Sequence, residues 1–319
     1  MRFVSSGFSP ARHVVSGFSR TGLVASAFRR TGVMLALALA LASPAAAQSF
    51  LNGDWVGLFH EDQPERGPGP DLADYLGLPI NAAARQFAQT WDASRLALPE
   101  HQCRAHVSPY IYRGPIRVRI TEERDPATQN TIAIKHFLST YAQERTIWLD
   151  GRPHPSPTAP HTWMGFSTGR WEGRVLRVET THIKQGWIRR NGVPMSAQAK
   201  MTEFFFRHGN ILTVLTIVDD PVYLEEPFVR TTDLQLDPNT QPNAYQAWLV
   251  CQADEEVPHE PGYVPHYLPG ENPFLEEFAA KVGIPVEPTR GGAHTMYPEY
   301  APKVKAMPVA KPRRATNNR

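Results

Sequence analysis

Only two cysteines, Cys103 and Cys251, occur in 319 residues. That scarcity excludes a disulfide-dense scaffold and a four-cysteine zinc site. Long apolar runs are equally scarce. The one clear run, residues 33–47, is too short and too rich in alanine to span a bilayer comfortably. Walker loops, a Gly-x-Gly-x-x-Gly fingerprint and a His-Glu-x-x-His pair are all missing, which removes the P-loop, Rossmann and zincin classes. Ser167 stands in a Gly-x-Ser-x-Gly run, but between strands and with no helical pattern after it, so the context of a nucleophile elbow fails.

The apolar run follows Arg29-Arg30 and closes on Ala45-Ala46-Ala47 before Gln48, the order of a secretory signal peptide cleaved near Ala47. Upstream, Phe18-Ser19-Arg20-Thr21-Gly22 is echoed by Phe28-Arg29-Arg30-Thr31-Gly32. Either a long basic leader or a start codon set too early accounts for the echo, and the Sec and twin-arginine routes both stay open. The expected location is periplasmic or secreted. There, two cysteines invite one Cys103–Cys251 disulfide.

Of the 33 Lys+Arg, five arginines lie in 1–47, so residues 48–319 carry 28 against 31 Asp+Glu, a net of −3. The stretch Lys303–Arg319 holds six basic residues and no acid. Residues 48–302 are therefore acidic and the tail basic. A nucleic-acid-binding face on the domain is not expected; a weak association of the tail with an anionic envelope surface is.

What remains reads as β. Pro115–Thr121 alternates strictly, with one aliphatic and one basic face. Further strands are expected at Asn52–His60, Thr131–Leu138, Arg145–Asp150, Arg174–His182, Met201–Arg207, Ile211–Val218, Val229–Leu236 and Ala244–Cys251, separated by tight turns. Helices are expected over 82–93, capped by Asn81, and over 273–282, capped by Asn272 and ended by Gly283. Gly53-Asp54-Trp55 resembles the Gly-x-Trp signature of lipocalins, in which the Trp plugs the closed end of the barrel. The expected fold is mainly β: an antiparallel lipocalin-like, calycin-type barrel of about 8–10 strands with one or two short helices. Its organisation is a signal peptide over 1–47, a barrel over 48–252, a Pro-rich extension with a short helix over 253–300, and a basic disordered tail over 301–319.

Several motifs resemble those of a family of uncharacterised exported proteobacterial proteins. They are His60-Glu61-Asp62-Gln63, Pro99-Glu100-His101-Gln102-Cys103, Asp150-Gly151-Arg152-Pro153-His154-Pro155, Gly169-Arg170-Trp171-Glu172-Gly173, Thr180-Thr181-His182-Ile183-Lys184, Arg189-Arg190-Asn191-Gly192 and Asp220-Pro221-Val222-Tyr223-Leu224-Glu225-Glu226-Pro227. The likeness covers roughly 50–240. It implies one continuous domain and no particular activity.

Strand parity groups His60, His136 and His182 with inward residues, where a ring of imidazoles at a barrel mouth binds a ligand, moves a proton or is merely satisfied. Lys184, Arg189 and Arg190 cluster around one excursion and suit a carboxylate or phosphate; the alternative is a solvated hairpin turning at Asn191-Gly192. Glu203, set among aromatics, is either a general acid or base or the partner of Arg230 or Arg117. His101 and His106 flank Cys103 and offer a transition-metal site as the alternative to a disulfide with surface histidines. No other cofactor is expected. The leading expectation is a small-molecule carrier that holds a partly apolar or anionic ligand at the barrel mouth. Trp55 and Phe205 would supply core and wall, His60, His182, Lys184, Arg189 and Arg190 polar grip, and His136 would join the ligand-binding set. The rivals are an enzyme on the same barrel using His182, Glu203 and His60, with or without a metal, and an envelope-associated scaffold.

Overall fold

The computed structural model describes residues 51–58, 69–98, 101, 103–112, 117–139, 142–240 and 260–311. Nine strands close into one barrel: β1 (Gly53–Gly57), β2 (Arg117–Arg124), β3 (Thr131–Leu138), β4 (Gln143–Trp148), β5 (Phe166–Glu172), β6 (Val175–Thr181), β9 (Lys200–His208), β10 (Ile211–Asp219) and β11 (Phe228–Leu236). Around the ring they run β1-β11-β10-β9-β6-β5-β4-β3-β2. Between β6 and β9 the chain leaves the barrel for a small hairpin, β7 (Gly186–Trp187) and β8 (Pro194–Met195). The expected strand at Ala244–Cys251 lies outside the described residues.

The barrel is mixed, not the antiparallel lipocalin type expected. An odd number of strands in a closed ring cannot alternate in direction all the way round, so one neighbouring pair must be parallel. That pair is β4 and β5, joined by only two register pairs, Ile147 with Ser167 and Trp148 with Thr168. The sequence reading missed β5 because Ser167, Gly169 and Arg170 interrupt its apolar pattern.

Inside, β2 turns Val118 and Ile120 inward and sends Arg117 and Arg119 out to Asp237 (2.7 Å) and Asp54 (2.9 Å). Ile134, Leu176, Val178, Phe205, Val214 and Leu234 complete a filled apolar interior. Trp55 belongs to it, fully buried, with its indole N–H donated to the Leu51 carbonyl at 2.9 Å.

A second apolar cluster lies where β9, β10 and β11 meet the helical segments. Helix α1 (Ala82–Gln89) starts where Asn81 accepts the Ala84 N–H. It is shorter than expected because the Thr90 hydroxyl takes the Phe87 carbonyl and Trp91 bridges to His266. Asn272 does not cap a helix at 273. Its carbonyl oxygen accepts from Phe274, and its amide donates to the Gln89 and Trp91 carbonyls. Helix α2 (Glu277–Val282) follows and ends at left-handed Gly283. Two short helices come after it, α3 (Val286–Thr289) and α4 (Ala301–Lys305). The last forms part of what was expected to be a disordered tail, begun by Pro302 in its first turn. No described helix is long and apolar enough to cross a membrane.

Candidate functional site

A pocket of about 160 Å³ lies between the β7–β8 hairpin, Trp163 and the segment 101–110. Glycines permit its walls to meet. A Cβ on Gly186 would stand 2.5 Å from Val107 Cγ1, and one on Gly192 would stand 2.6 Å from Trp91 Cβ. Gly192 also sits at φ +92°, so it is required on both counts. Asn191 donates to the Asp71 and Asp74 carbonyls, and Arg189 to the Asp74 carbonyl, which ties the hairpin to the segment before α1. The Asn191-Gly192 turn is therefore packed against protein, not solvated.

Three indoles and three cations meet here. Trp91 and Trp187 pack edge to face with centroids 5.3 Å apart. The Arg104 guanidinium carbon lies 4.8 Å from the Trp163 ring and 4.7 Å from the Trp187 ring. Lys184 Nζ lies 4.9 Å from Trp163. Arg95 and Arg104 approach the two nitrogens of His101 at 3.3 and 3.4 Å. A neutral imidazole has one acceptor nitrogen, so His101 accepts from one of them at a time. Among the described residues no Asp or Glu lines the pocket.

Electrostatics sharpen this picture. Burial and the nearby Arg95 hold the Arg104 pKa below its ordinary value. Burial, with help from Arg190, pushes His106 down to about 4, so that ring is neutral at pH 7. Among the described residues Arg104 pairs with no carboxylate. The cavity thus presents an uncompensated, partly desolvated guanidinium framed by aromatic rings.

A different, polar cluster is set within the apolar interior of the barrel. Arg145 and Glu203 form an ion pair with side chains 1% and 0% exposed. Arg145 also donates to Tyr112 Oη (3.1 Å), Ser167 Oγ (3.2 Å) and Thr180 Oγ1 (2.9 Å). Tyr112 in turn donates to His136 Nδ1 at 2.7 Å, which leaves the proton of the neutral ring on Nε2. His136 is kept neutral by burial first and by Arg145 second. Within this cluster His136 Nε2 and Glu203 Oε1 find no hydrogen-bond partner among the described residues.

These arrangements redistribute the expected residues. Glu203 is sealed against Arg145, which the sequence reading did not name as its partner; Arg117 binds Asp237 instead. His136 and Trp55 are core, not pocket wall. His182 leaves the inward row of Leu176, Val178 and Thr180 because it adopts φ +57°, which turns its ring to the outer face against Thr181 and Ser156. His182 and Glu203 therefore do not come together. Arg190, His101 and His106 line the pocket, Lys184 stands at its edge, and Arg189 is structural. His60 and Cys251 lie outside the described residues, within which no cysteine is a free thiol. No group of three or more His, Cys, Asp or Glu among the described residues could hold a metal ion. Within the His101–His106 segment, Arg104 is the member that meets the indoles of the pocket. Trp91, Trp163 and Trp187 were missed, since nothing in their spacing links them. Comparison of the chain with family models, with curated proteins and with solved structures gives no match.

Proposed function

We propose that this protein binds a small anion with an apolar, ring-sized body in the pocket beside the β7–β8 hairpin. The Arg104 guanidinium carries the reading: it is partly desolvated, framed by Trp163 and Trp187, and without a carboxylate partner among the described residues. Partial desolvation weakens the hydration of that charge, which favours an anionic partner. The volume suits one aromatic ring, since a cavity of about 150 Å³ takes a benzene. Arg104 and Arg190 supply forked donors for a carboxylate or sulfonate. Glu203 is sequestered, so an acid–base enzyme built on it has no support.

Titration of intrinsic tryptophan fluorescence with benzoate or benzenesulfonate tests this directly. Saturable quenching is expected, weakened by Arg104→Ala by about 10- to 150-fold, the equivalent of losing a charge-assisted hydrogen bond of about 1.5–3 kcal/mol. No response to either anion, or equal affinity in the variant, would sink the reading.

The same proposal includes export through the segment ending at Ala47 and a Cys103–Cys251 disulfide formed after it. Peptide mapping of the exported protein without reductant should yield one linked peptide pair. Two separate thiol peptides would refute the bond.

A further inference from the structure

Residues 149–165, between β4 and β5, are fastened to the outer face of the barrel by histidines. His154 Nδ1 lies 2.7 Å from Thr181 Oγ1, and its Nε2 lies 2.8 Å from Thr168 Oγ1. His182 Nδ1 meets the same Thr181 hydroxyl at 2.7 Å, and its Nε2 lies 2.8 Å from the Ser156 carbonyl. Chemistry fixes where every proton sits. A carbonyl only accepts, so His182 Nε2 donates to it. In the neutral ring His182 Nδ1 then accepts, from the Thr181 hydroxyl. Thr181 has one proton to give, so it accepts from His154 Nδ1, and His154 Nε2 accepts from Thr168. With both rings neutral, every link is satisfied in one direction.

Protonating both rings aims two cationic N–H donors at the single Thr181 oxygen. The His161 ring, 5.2 Å from that of His182, adds a third titratable group. Glu179, the acid facing His154, favours its protonation; Arg152, Arg170 and Arg177, which oppose it, share the groove containing Thr168 and Glu179. Burial, and His182 beside it, hold His154 below the ordinary histidine range against the pull of Glu179. The chain is therefore intact with both rings neutral and strained with both protonated.

His182 joins this fastening to the pocket. Its backbone carbonyl accepts the Thr162 N–H at 3.0 Å, and the Thr162 carbonyl accepts the Lys184 N–H at 2.8 Å. Trp163, next in sequence, is pocket wall, and Lys184 lies over its ring. The left-handed backbone of His182 is uncommon for a residue with a side chain and is held here by the ring's two hydrogen bonds.

We propose that His154, Thr181 and His182 form an acid-released latch, which on protonation frees residues 149–165, loosens the Trp163 wall and lowers the pocket's affinity for its anion. This rests on the pocket being the binding site. The sign is diagnostic. Protonating His101 at the pocket would strengthen anion binding, whereas release of the latch weakens it.

The test uses the exported chain and benzenesulfonate, which stays anionic throughout. Its Kd, and hydrogen-exchange protection factors for 150–165, are measured at steps from about pH 7.5 down to about pH 4, which passes below the ordinary histidine range. Acid should lower the protection factors and raise Kd roughly tenfold or more. His182→Asn, which tolerates the left-handed backbone, should show the acid behaviour already at the higher pH. Unchanged protection overturns the latch. Lowered protection with unchanged or tighter binding overturns its coupling to the pocket. If the probe fails to bind even at the higher pH, the pocket reading fails, while the exchange data still judge the latch.

Discussion

Arg145 and Glu203, on β4 and β9, face each other across the barrel interior and pair there out of reach of solvent. Neither charge tolerates being left alone in such a place. Removing one partner of a buried pair costs about 3–5 kcal/mol, while replacing both with apolar residues of similar size is often neutral or better. Glu203→Leu and Arg145→Met are each expected to lose that much in urea denaturation. The double variant should recover most of it. Additive losses would show that the two residues are not coupled and that the stranded charge does not set the cost.

Gly192 is the hinge of contact between the hairpin and Trp91. In Gly192→Ala the new methyl meets Trp91 Cβ at 2.6 Å and its indole Cγ at 2.8 Å while the backbone is held at φ +92°. A loss of about 1–3 kcal/mol is expected from the forced backbone, together with weaker ligand binding as Trp91 shifts. Gly209, at φ +64° with nothing within 4 Å of its Cβ position, serves as the control. Its alanine variant should lose stability but keep affinity.

Acid should weaken the fold through His106. Its folded pKa, about 4, lies below the unfolded value of about 6.5. The unfolded chain therefore takes up the proton first. Stability is fully present above about pH 6.5 and drains away as the pH falls toward about 4, by roughly 3 kcal/mol from this group alone. His136, lowered by its own burial, acts in the same direction. His106→Asn should flatten part of the slope measured by denaturation between those two pH values. An unaltered slope would assign the loss elsewhere.

Trp187→Leu removes one of the two rings beside Arg104 and the edge contact with Trp91. A cation–π contact contributes about 0.5–2 kcal/mol. The variant should bind benzenesulfonate several-fold more weakly by calorimetry while its unfolding midpoint changes little, since Trp187 is only half-buried.

Much of the barrel was legible because strand faces are written every second residue: Val118 and Ile120 inward, Arg117 and Arg119 outward. The same rule misplaced His182, since a single left-handed residue resets the parity and nothing in the side chain announces it. The site was harder still. Trp91, Arg104, Trp163 and Trp187 lie on four separate segments and meet only because Gly186 and Gly192 allow close approach. No local period encodes such a meeting. Arg104 was overlooked between two histidines because those residue types point to metals, whereas its own role depends on rings far along the chain.

The odd number of strands leaves the ring with one seam unlike the rest. Every other neighbouring pair of this barrel runs antiparallel, but β4 and β5 touch over two residue pairs and are joined by the long segment that carries His154 and Trp163. Here the wall is held shut as much by what is laid across it as by its own stitching. A pull applied along the barrel wall would part it at this line before any other, and the histidine-fastened segment is the clasp that such a pull meets first.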